Sequence, residues 1–536
     1  MPTFKLDGQP IAFEPGDTII RAAHRQGIEI PHYCWHPGLS APANCRMCLV
    51  EILPKAGMRP MMLDILEWDS AAKEYRPVQK PKLQPACYIA AADGMEVLSD
   101  TSENVKQARH DVQELLLLNH PVDCPICDQA GECKLQDYWL DYQKTQKRMH
   151  DEPVHKPKAV VFGPTIVYDA ERCVMCTRCV RFMAEVAKDP VLDMRQRGSL
   201  NEIFVSPGRE LDGHYTFMTE HVCPVGALTT KDFRFKARVW FLRSADAICQ
   251  GCATGCNGHL DYDPRTNTAY RYRPRDNEKV NKYWMCDDGM LTYRAAHEGR
   301  VLDARVDSTG GGAVPLPAAL DRAKQVFSGV PKESVAIVLS AQHSLEDNWA
   351  LKEFGMVLMG TKNIYRSGQP EGYEDAILMH RDKNPNSRGI DLLFAGTTGA
   401  RSLQALVDDV AASRVTHVIA LGGAAPVDVG ALASAKVVTI AAHEGPLTKV
   451  AAVVLPATSW AEHSGTYVNA KGQRQVSQQA LEPQGESRAA WQQVSALATA
   501  LGFAPSWSKL KQIRETLGGT PSNPPAPGPS SQAHAE

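Results

Sequence analysis

The sequence contains no apolar run approaching the roughly 20 residues that a bilayer crossing needs; residues 115–118 form only a short helical patch. Its net charge of -3 gives no electrostatic ground for binding nucleic acid or an anionic membrane surface. The N-terminus has neither the basic-then-apolar order of a signal peptide nor the Arg-rich amphipathic character of a transit peptide. It reads as a strand, an Asp7-Gly8 turn and a second strand. No Gly-x-Gly-x-x-Gly follows a predicted strand, which removes the dinucleotide fingerprint, and Gly422-Gly423 reads as a strand-end turn. The most informative shortage concerns cysteine: none of the 15 lies beyond Cys286. A scatter of packing cysteines would not stop there. The N-terminal half is expected to use thiolates, in a reducing compartment where clustered thiols bind metal more often than they form disulfides.

A chain of 536 residues is too long for one core and predicts about three or four domains. Two strands and a helix over 19–26 lead into a loop with Cys34, Cys45 and Cys48, then a strand over 48–53. A helix is expected over 97–119 with Thr101 or Ser102 as N-cap, and another over 129–146. Residues 147–158 read as a connector and 162–170 as a strand. Short apolar runs at 335–340, 415–421, 437–441 and 453–455 predict buried parallel strands of an α/β domain. The Pro/Ser/Ala-rich tail from Gly518 is expected to be disordered.

The cysteines and one histidine divide into four ligand sets. The first is Cys34, Cys45 and Cys48 with Cys87 as the fourth ligand. Three thiolates on one loop and a fourth from a distant strand suit a [2Fe–2S] cluster, although the first gap exceeds the plant-type spacing. The second is Cys124, Cys127 and Cys133, completed by His120 on the argument of counting. A neutral imidazole in place of a thiolate raises a cluster's potential. The third is Cys173, Cys176, Cys179 and Cys223-Pro224, close to the bacterial [4Fe–4S] run except that its Cys-Pro has moved far along the chain. The fourth is Cys249, Cys252, Cys256 and Cys286. The competing reading at each set is structural zinc, which also takes four Cys or His ligands. Arg172, Arg178 and Arg181 flank the third set; they read as a solvated basic face in preference to compensating cluster charge. His110, His150 and His155 read as surface or helix-end residues.

At these residues the chain resembles the large iron–sulfur subunit (the G subunit) of bacterial NADH:quinone oxidoreductase, respiratory complex I. HYCWHPGLSAPANCRMCLVE, LLNHPVDCPICDQAGECKLQD, RCVMCTRCVRF and HVCPVGAL are similar to that family's first three cluster signatures. ICQGCATGCNGHLDYD with MCDDG resembles the [4Fe–4S] signature of molybdopterin oxidoreductases, and AAVVLPATSWAEHSGTYVNAKGQRQ echoes a later motif of those enzymes. The resemblance implies a multidomain α+β and α/β fold. It starts with a [2Fe–2S] ferredoxin-like β-grasp (1–100), a [4Fe–4S] domain with one histidine and three cysteine ligands (101–160) and a [4Fe–4S] ferredoxin-like domain (161–242). A molybdopterin-oxidoreductase-type [4Fe–4S] domain (243–300), a shortened molybdopterin-oxidoreductase-like α/β region (301–517) and the tail (518–536) follow.

The cofactors implied are one [2Fe–2S] and three [4Fe–4S] clusters. No molybdenum cofactor is expected, since the C-terminal half is short for that domain and offers no thiolate; Glu462, Asn469 and Gly472 then serve the fold. The expected role is electron relay within complex I, from a flavin-containing NADH-oxidising partner subunit through further iron–sulfur subunits toward quinone. The expected place is the cytoplasmic face of the inner membrane. The Cys249 set is expected to lie off the main path. The rivals are an iron–sulfur subunit of an NAD-linked formate dehydrogenase or NAD-reducing hydrogenase, and a zinc-stapled scaffold without redox function.

Overall fold

The computed structural model describes residues 1–54, 59–146, 148–307, 312–394 and 399–519, so the tail from residue 520 onward lies outside the described residues. The described residues form two compact units, Met1–Phe241 and the stretch from Leu242 onward.

In the first unit, strands Thr3–Leu6 and Gln9–Ala12 pair antiparallel. Asp7 (φ 49°) and Gly8 (φ 84°) both adopt the left-handed conformation that a two-residue hairpin turn demands. They join a five-stranded sheet in the order Gln9–Ala12, Thr3–Leu6, Glu96–Leu98, Leu49–Ile52, Gln84–Pro85. Alternate side chains, Phe4 and Leu6 among them, pack under the helix Ile19–Arg25 against Ile19, Ala22, Ala23 and Trp35. The helix expected from residue 97 starts later, at Glu103, and runs to Leu117. Residues 96–98 are instead a strand, claimed by backbone pairing to Thr3–Leu6 and Leu49–Ile52. Ser102 caps the helix, its hydroxyl accepting from Val105 N at 3.4 Å, and Asp7 anchors the approach by accepting from Ser99 N at 2.8 Å. The helix expected over 129–146 is shorter, comprising Lys134–Tyr138 and a wide turn, Trp139–Gln143. Gly131 (φ 91°) and extended Cys133 hold its first residues out of helical geometry. A hairpin that no sequence pattern announces, Met62–Asp69 with Glu74–Pro81, lies between Cys48 and Cys87. The second small sheet pairs Ile166–Tyr168 with Val160–Val161 and Leu228–Thr230.

The second unit opens with an antiparallel sheet, Arg243–Ile248, Asn257–Asp263 and Thr268–Pro274. An eight-stranded sheet follows, ordered Ala313–Val314, Ala304–Val306, Val453–Pro456, Lys436–Ala441, His417–Leu421, Val335–Ser340, Asn363–Ser367, Arg401–Ser402. The last six are mutually parallel. Every residue of Val335–Ser340 is buried, because alternate side chains enter two separate cores. Ile337 and Leu339 pack with Phe327, Trp349 and Val494 on one face, Ala336 and Val338 with Leu406 and Leu447 on the other. Covering helices on both faces explain why such strands read as continuous apolar runs.

Candidate metal centres

The first set lies on the loop between Ile19–Arg25 and Leu49–Ile52, with Cys87 just beyond Gln84–Pro85. Ala43 (φ 53°) and Arg46 (φ 60°) are left-handed non-glycine residues around Cys45, a backbone strain characteristic of functional loops. Cys34, Cys48 and Cys87 are buried. Cys34 lies within hydrogen-bonding reach of both Cys45 and Cys87, and Cys87 reaches Cys48. These mutual bonds draw the Cys34 and Cys48 thiols down and push Cys45 and Cys87 up.

The second set gathers around a cavity of about 540 Å³ whose wall includes His120, Cys124, Cys127 and Cys133. His120 follows the helix Glu103–Leu117 by three residues, and that helix is fixed by fully buried Arg109, which donates to Ser99 Oγ at 2.6 Å. Burial, and then the charge of Arg172, hold the His120 imidazole down at about 4, so it is neutral near pH 7 and available as a ligand. Arg172 is itself occupied by Asp123 at 2.8 Å. Gly226, also on this wall, approaches Cys127 so closely that a Cβ there would stand 2.2 Å from its Sγ.

The third set also lies on a strained loop. Met175 (φ 51°) and Thr177 (φ 62°) alternate with Cys173, Cys176 and Cys179, and Met175 N donates to Cys173 Sγ at 3.4 Å. Burial raises the Cys173 thiol to about 11 and pushes the Cys179 thiol well above its ordinary value, and the charges of neighbouring cysteines add to both. Thiols at a largely buried loop that repel one another's ionisation need positive charge to become thiolate, which bound iron would supply. Here the structure corrects the expectation for the flanking arginines. Arg172 is buried; Arg178 donates to Trp35 O at 2.5 Å and to Val222 O at 3.3 Å; Arg181 donates to Cys34 O and Cys176 O. They form no solvated face. Sequence reasoning missed this because the partners, the Asp123 carboxylate for Arg172 and the Trp35, Val222 and Cys34 carbonyls for Arg178 and Arg181, lie far along the chain.

The fourth set belongs to the second unit. All four cysteines are buried, and burial raises the Cys249 thiol to about 12. Gly251 N donates to Cys249 Sγ at 3.4 Å and Gly289 N to Cys286 Sγ at 3.3 Å. Gln475 Nε2 donates to Gly255 O at 2.8 Å, fastening the Cys252–Cys256 loop from the later motif. In that motif Asn469 Oδ1 accepts from Gln473 N at 2.9 Å across a turn with Gly472 at φ 80°. Glu462 is bonded to Arg300 at 2.6 Å.

A zinc ion with Zn–S bonds of about 2.3 Å sets its thiolates about 3.8 Å apart. Among the described residues, the only three-ligand His/Cys/Asp/Glu group with all atoms within 4.8 Å of one another is His110, Asp111 and Glu114, which includes no cysteine. The His120 set lines a cavity of about 540 Å³, more room than one ion needs. The molybdopterin cofactor fares differently. The parallel strands end at a cavity of about 470 Å³ whose wall has the carboxylates Asp347 and Glu444 but neither Lys nor Arg. That lining offers no cationic fork of the kind that pairs with a dinucleotide's pyrophosphate.

Four family descriptions match in order along the chain: a 2Fe-2S iron-sulfur cluster binding domain (1–102), an NADH-ubiquinone oxidoreductase-G iron-sulfur binding region (109–148), the ferredoxin-like domain of NADH-quinone oxidoreductase subunit 3 (163–229) and molybdopterin oxidoreductase (275–500). The NADH-quinone oxidoreductase G subunit of Mycobacterium bovis is 32% identical over 70% of this chain and 44% of its own length. The mitochondrial NADH dehydrogenase [ubiquinone] iron-sulfur protein 1 of Solanum tuberosum is 34% identical over 68% of this chain and 45% of its own. The NAD+-reducing [NiFe]-hydrogenase superposes with a TM-score of 0.36 at 27% identity over 44% of this chain and 91% of that one, too low a score to support an architectural argument. The chain thus spans less than half the length of these curated relatives. With [2Fe–2S] and [4Fe–4S] binding domains in this order ahead of a molybdopterin-oxidoreductase-like region, it belongs to the family of the NADH-quinone oxidoreductase G subunit.

Proposed function

We propose that the chain is the iron–sulfur electron-relay subunit of a respiratory NADH:quinone oxidoreductase. It holds one [2Fe–2S] cluster on Cys34, Cys45, Cys48 and Cys87. Three [4Fe–4S] clusters sit on His120, Cys124, Cys127 and Cys133, on Cys173, Cys176, Cys179 and Cys223, and on Cys249, Cys252, Cys256 and Cys286. The observation that carries this reading is that His120, Cys124, Cys127 and Cys133 line one cavity of about 540 Å³, more room than a single ion needs. Such clusters change oxidation state by one electron, whereas hydride removal from NADH needs a flavin. The protein's own part is to bury the ligands, fix their separation and exclude water. NADH oxidation then belongs to a flavin-containing partner subunit, and quinone reduction to other iron–sulfur and membrane subunits at the cytoplasmic face of the inner membrane. Among the described residues no helix is long and apolar enough to cross a membrane, which suits a subunit held in the complex by protein contacts. The domain limits follow the ligand sets, with 1–100, 101–160, 161–242, 243–300 and 301–517 as the working units.

Iron and acid-labile sulfide analysis of the purified complex tests the assignment: about 14 iron atoms per chain are expected from one [2Fe–2S] and three [4Fe–4S] clusters. Zinc in place of iron would refute it, and molybdenum or tungsten at about one atom per chain would restore the formate dehydrogenase reading. The Cys249 cluster is assigned a structural role off the electron path. An assembled Cys252→Ala complex should lack that cluster's paramagnetic signal and still carry electrons from NADH to quinone; loss of transfer in an intact complex would place the cluster on the path.

A further inference from the structure

The first and third ligand loops are far apart in sequence and share one guanidinium. Arg181 Nη2 donates to the carbonyl of Cys34 and, at 3.3 Å, to that of Cys176. Its Nη1 donates to Ser40 O and its Nε to Thr177 Oγ1 at 3.2 Å. Each nitrogen of the fork is therefore committed, with two bonds to the Cys34–Cys48 loop and two to the Cys173–Cys179 loop. The seam is reinforced on either side. Arg178 donates to Trp35 O at 2.5 Å, Asn44 Nδ2 to Met175 O at 3.3 Å, and Ser40 N to Glu185 Oε2 at 2.9 Å. Arg181 sits near the start of the helix Arg178–Glu185, which leads directly out of the Cys173–Cys179 loop. Any displacement of that loop is thus transmitted to the Cys34 loop.

We infer that Arg181 is a positioning residue shared by two clusters, setting the separation of the [2Fe–2S] and [4Fe–4S] ligand loops and holding one fixed positive charge beside both. The guanidinium is suited to this double task. It stays charged at every working pH, and its planar fork spans acceptors on two segments in a way an ammonium does not. A positive charge in a poorly solvated seam favours the reduced, more negative state of each neighbouring cluster. Both midpoint potentials are raised by the same residue, so the difference between them, which drives transfer from one to the other, is largely preserved.

This inference rests on the cluster assignment above, and one experiment separates the two. Low-temperature paramagnetic resonance during redox titration of the assembled complex reads each cluster individually. Arg181→Gln removes the charge, and both the Cys34-set and Cys173-set midpoints should move in the negative direction while those of the His120 and Cys249 sets stay in place. Arg181→Lys keeps the charge but shortens the fork, and should move the same two midpoints in the same direction by a smaller amount. It also carries the test alone if Arg181→Gln fails to retain its clusters. Absence of cluster signals in the unsubstituted complex refutes the cluster assignment. Signals that are present but unmoved in the variants, or movement of only one of the two, overturns the role of Arg181 and leaves the assignment standing.

Discussion

Gly226→Ala is the sharpest test of iron at the second set, because its cost depends on whether Cys127 is a ligand. A methyl built at Gly226 falls 2.2 Å from Cys127 Sγ and 3.0 Å from Gln129 Cβ. Ordinary non-bonded contact needs about 3.5 Å, so the sulfur must retreat by more than an ångström. Gly226 is not among the described residues with positive φ, which leaves the contact itself as the whole cost. A free thiol would swing to another rotamer, and the strain would fall within the ~1–3 kcal/mol of ordinary overpacking. A sulfur bonded to iron has no such freedom, since the metal and three other ligands fix it. The expected outcome is selective loss of the His120-set cluster: iron falls from about 14 to about 10 per chain, and one [4Fe–4S] signal disappears. The Cys173-set signal should survive, although Cys223 lies only three residues before the substitution. Full iron with an unchanged His120-set signal would refute ligation by Cys127.

Other expectations follow from single contacts. His120→Cys replaces a neutral ligand by a thiolate, so one cluster midpoint should fall with the other three unchanged; an unaltered set of potentials in redox titration rules out His120 as a ligand. Arg300 and Glu462 pair at 2.6 Å with side chains 3% and 0% exposed. Glu462→Ala strands a buried guanidinium and should cost about 3–5 kcal/mol in urea unfolding, whereas a loss below about 1 kcal/mol would show that the pair is solvated. His343, held down at about 4 by burial despite nearby Asp347, stays neutral in the folded chain. The unfolded imidazole, near 6.5, binds a proton first as pH falls. The stabilising contribution is therefore full above about pH 6.5 and is lost toward pH 4, by about 2 kcal/mol between pH 8 and pH 5. His343→Gln should flatten that slope in unfolding titrations, and an unchanged slope would refute it.

What the sequence disclosed and what it withheld separate along physical lines. Cys-x2-Cys gaps are legible because one tight turn must present both thiolates, so chemistry and local geometry use the same few residues. The proposed fourth ligands Cys87, Cys223 and Cys286 are accessible by counting. The parallel strands are visible because burial on two faces leaves apolar residues at nearly every position of Val335–Ser340. The hairpin Met62–Asp69 with Glu74–Pro81 is invisible for the opposite reason, since most of its side chains are exposed and no core imposes an alternation.

Arg181 and Gly226 mark a deeper boundary. The arginine acts on carbonyls 141 and 147 positions away, and a carbonyl carries no side-chain identity for a pattern to reveal. The glycine matters because a sulfur from a separate loop occupies the volume of its missing Cβ. Ligands declare themselves by residue type, whereas the groups that fix distance between ligand loops bind backbone or vacate space. Electron transfer depends on that distance as much as on the clusters themselves. A sequence can therefore display every proposed iron ligand and still conceal the residues that would make them a conducting row. Variants of Arg181 and Gly226 probe the row, while variants of the cysteines probe only its members.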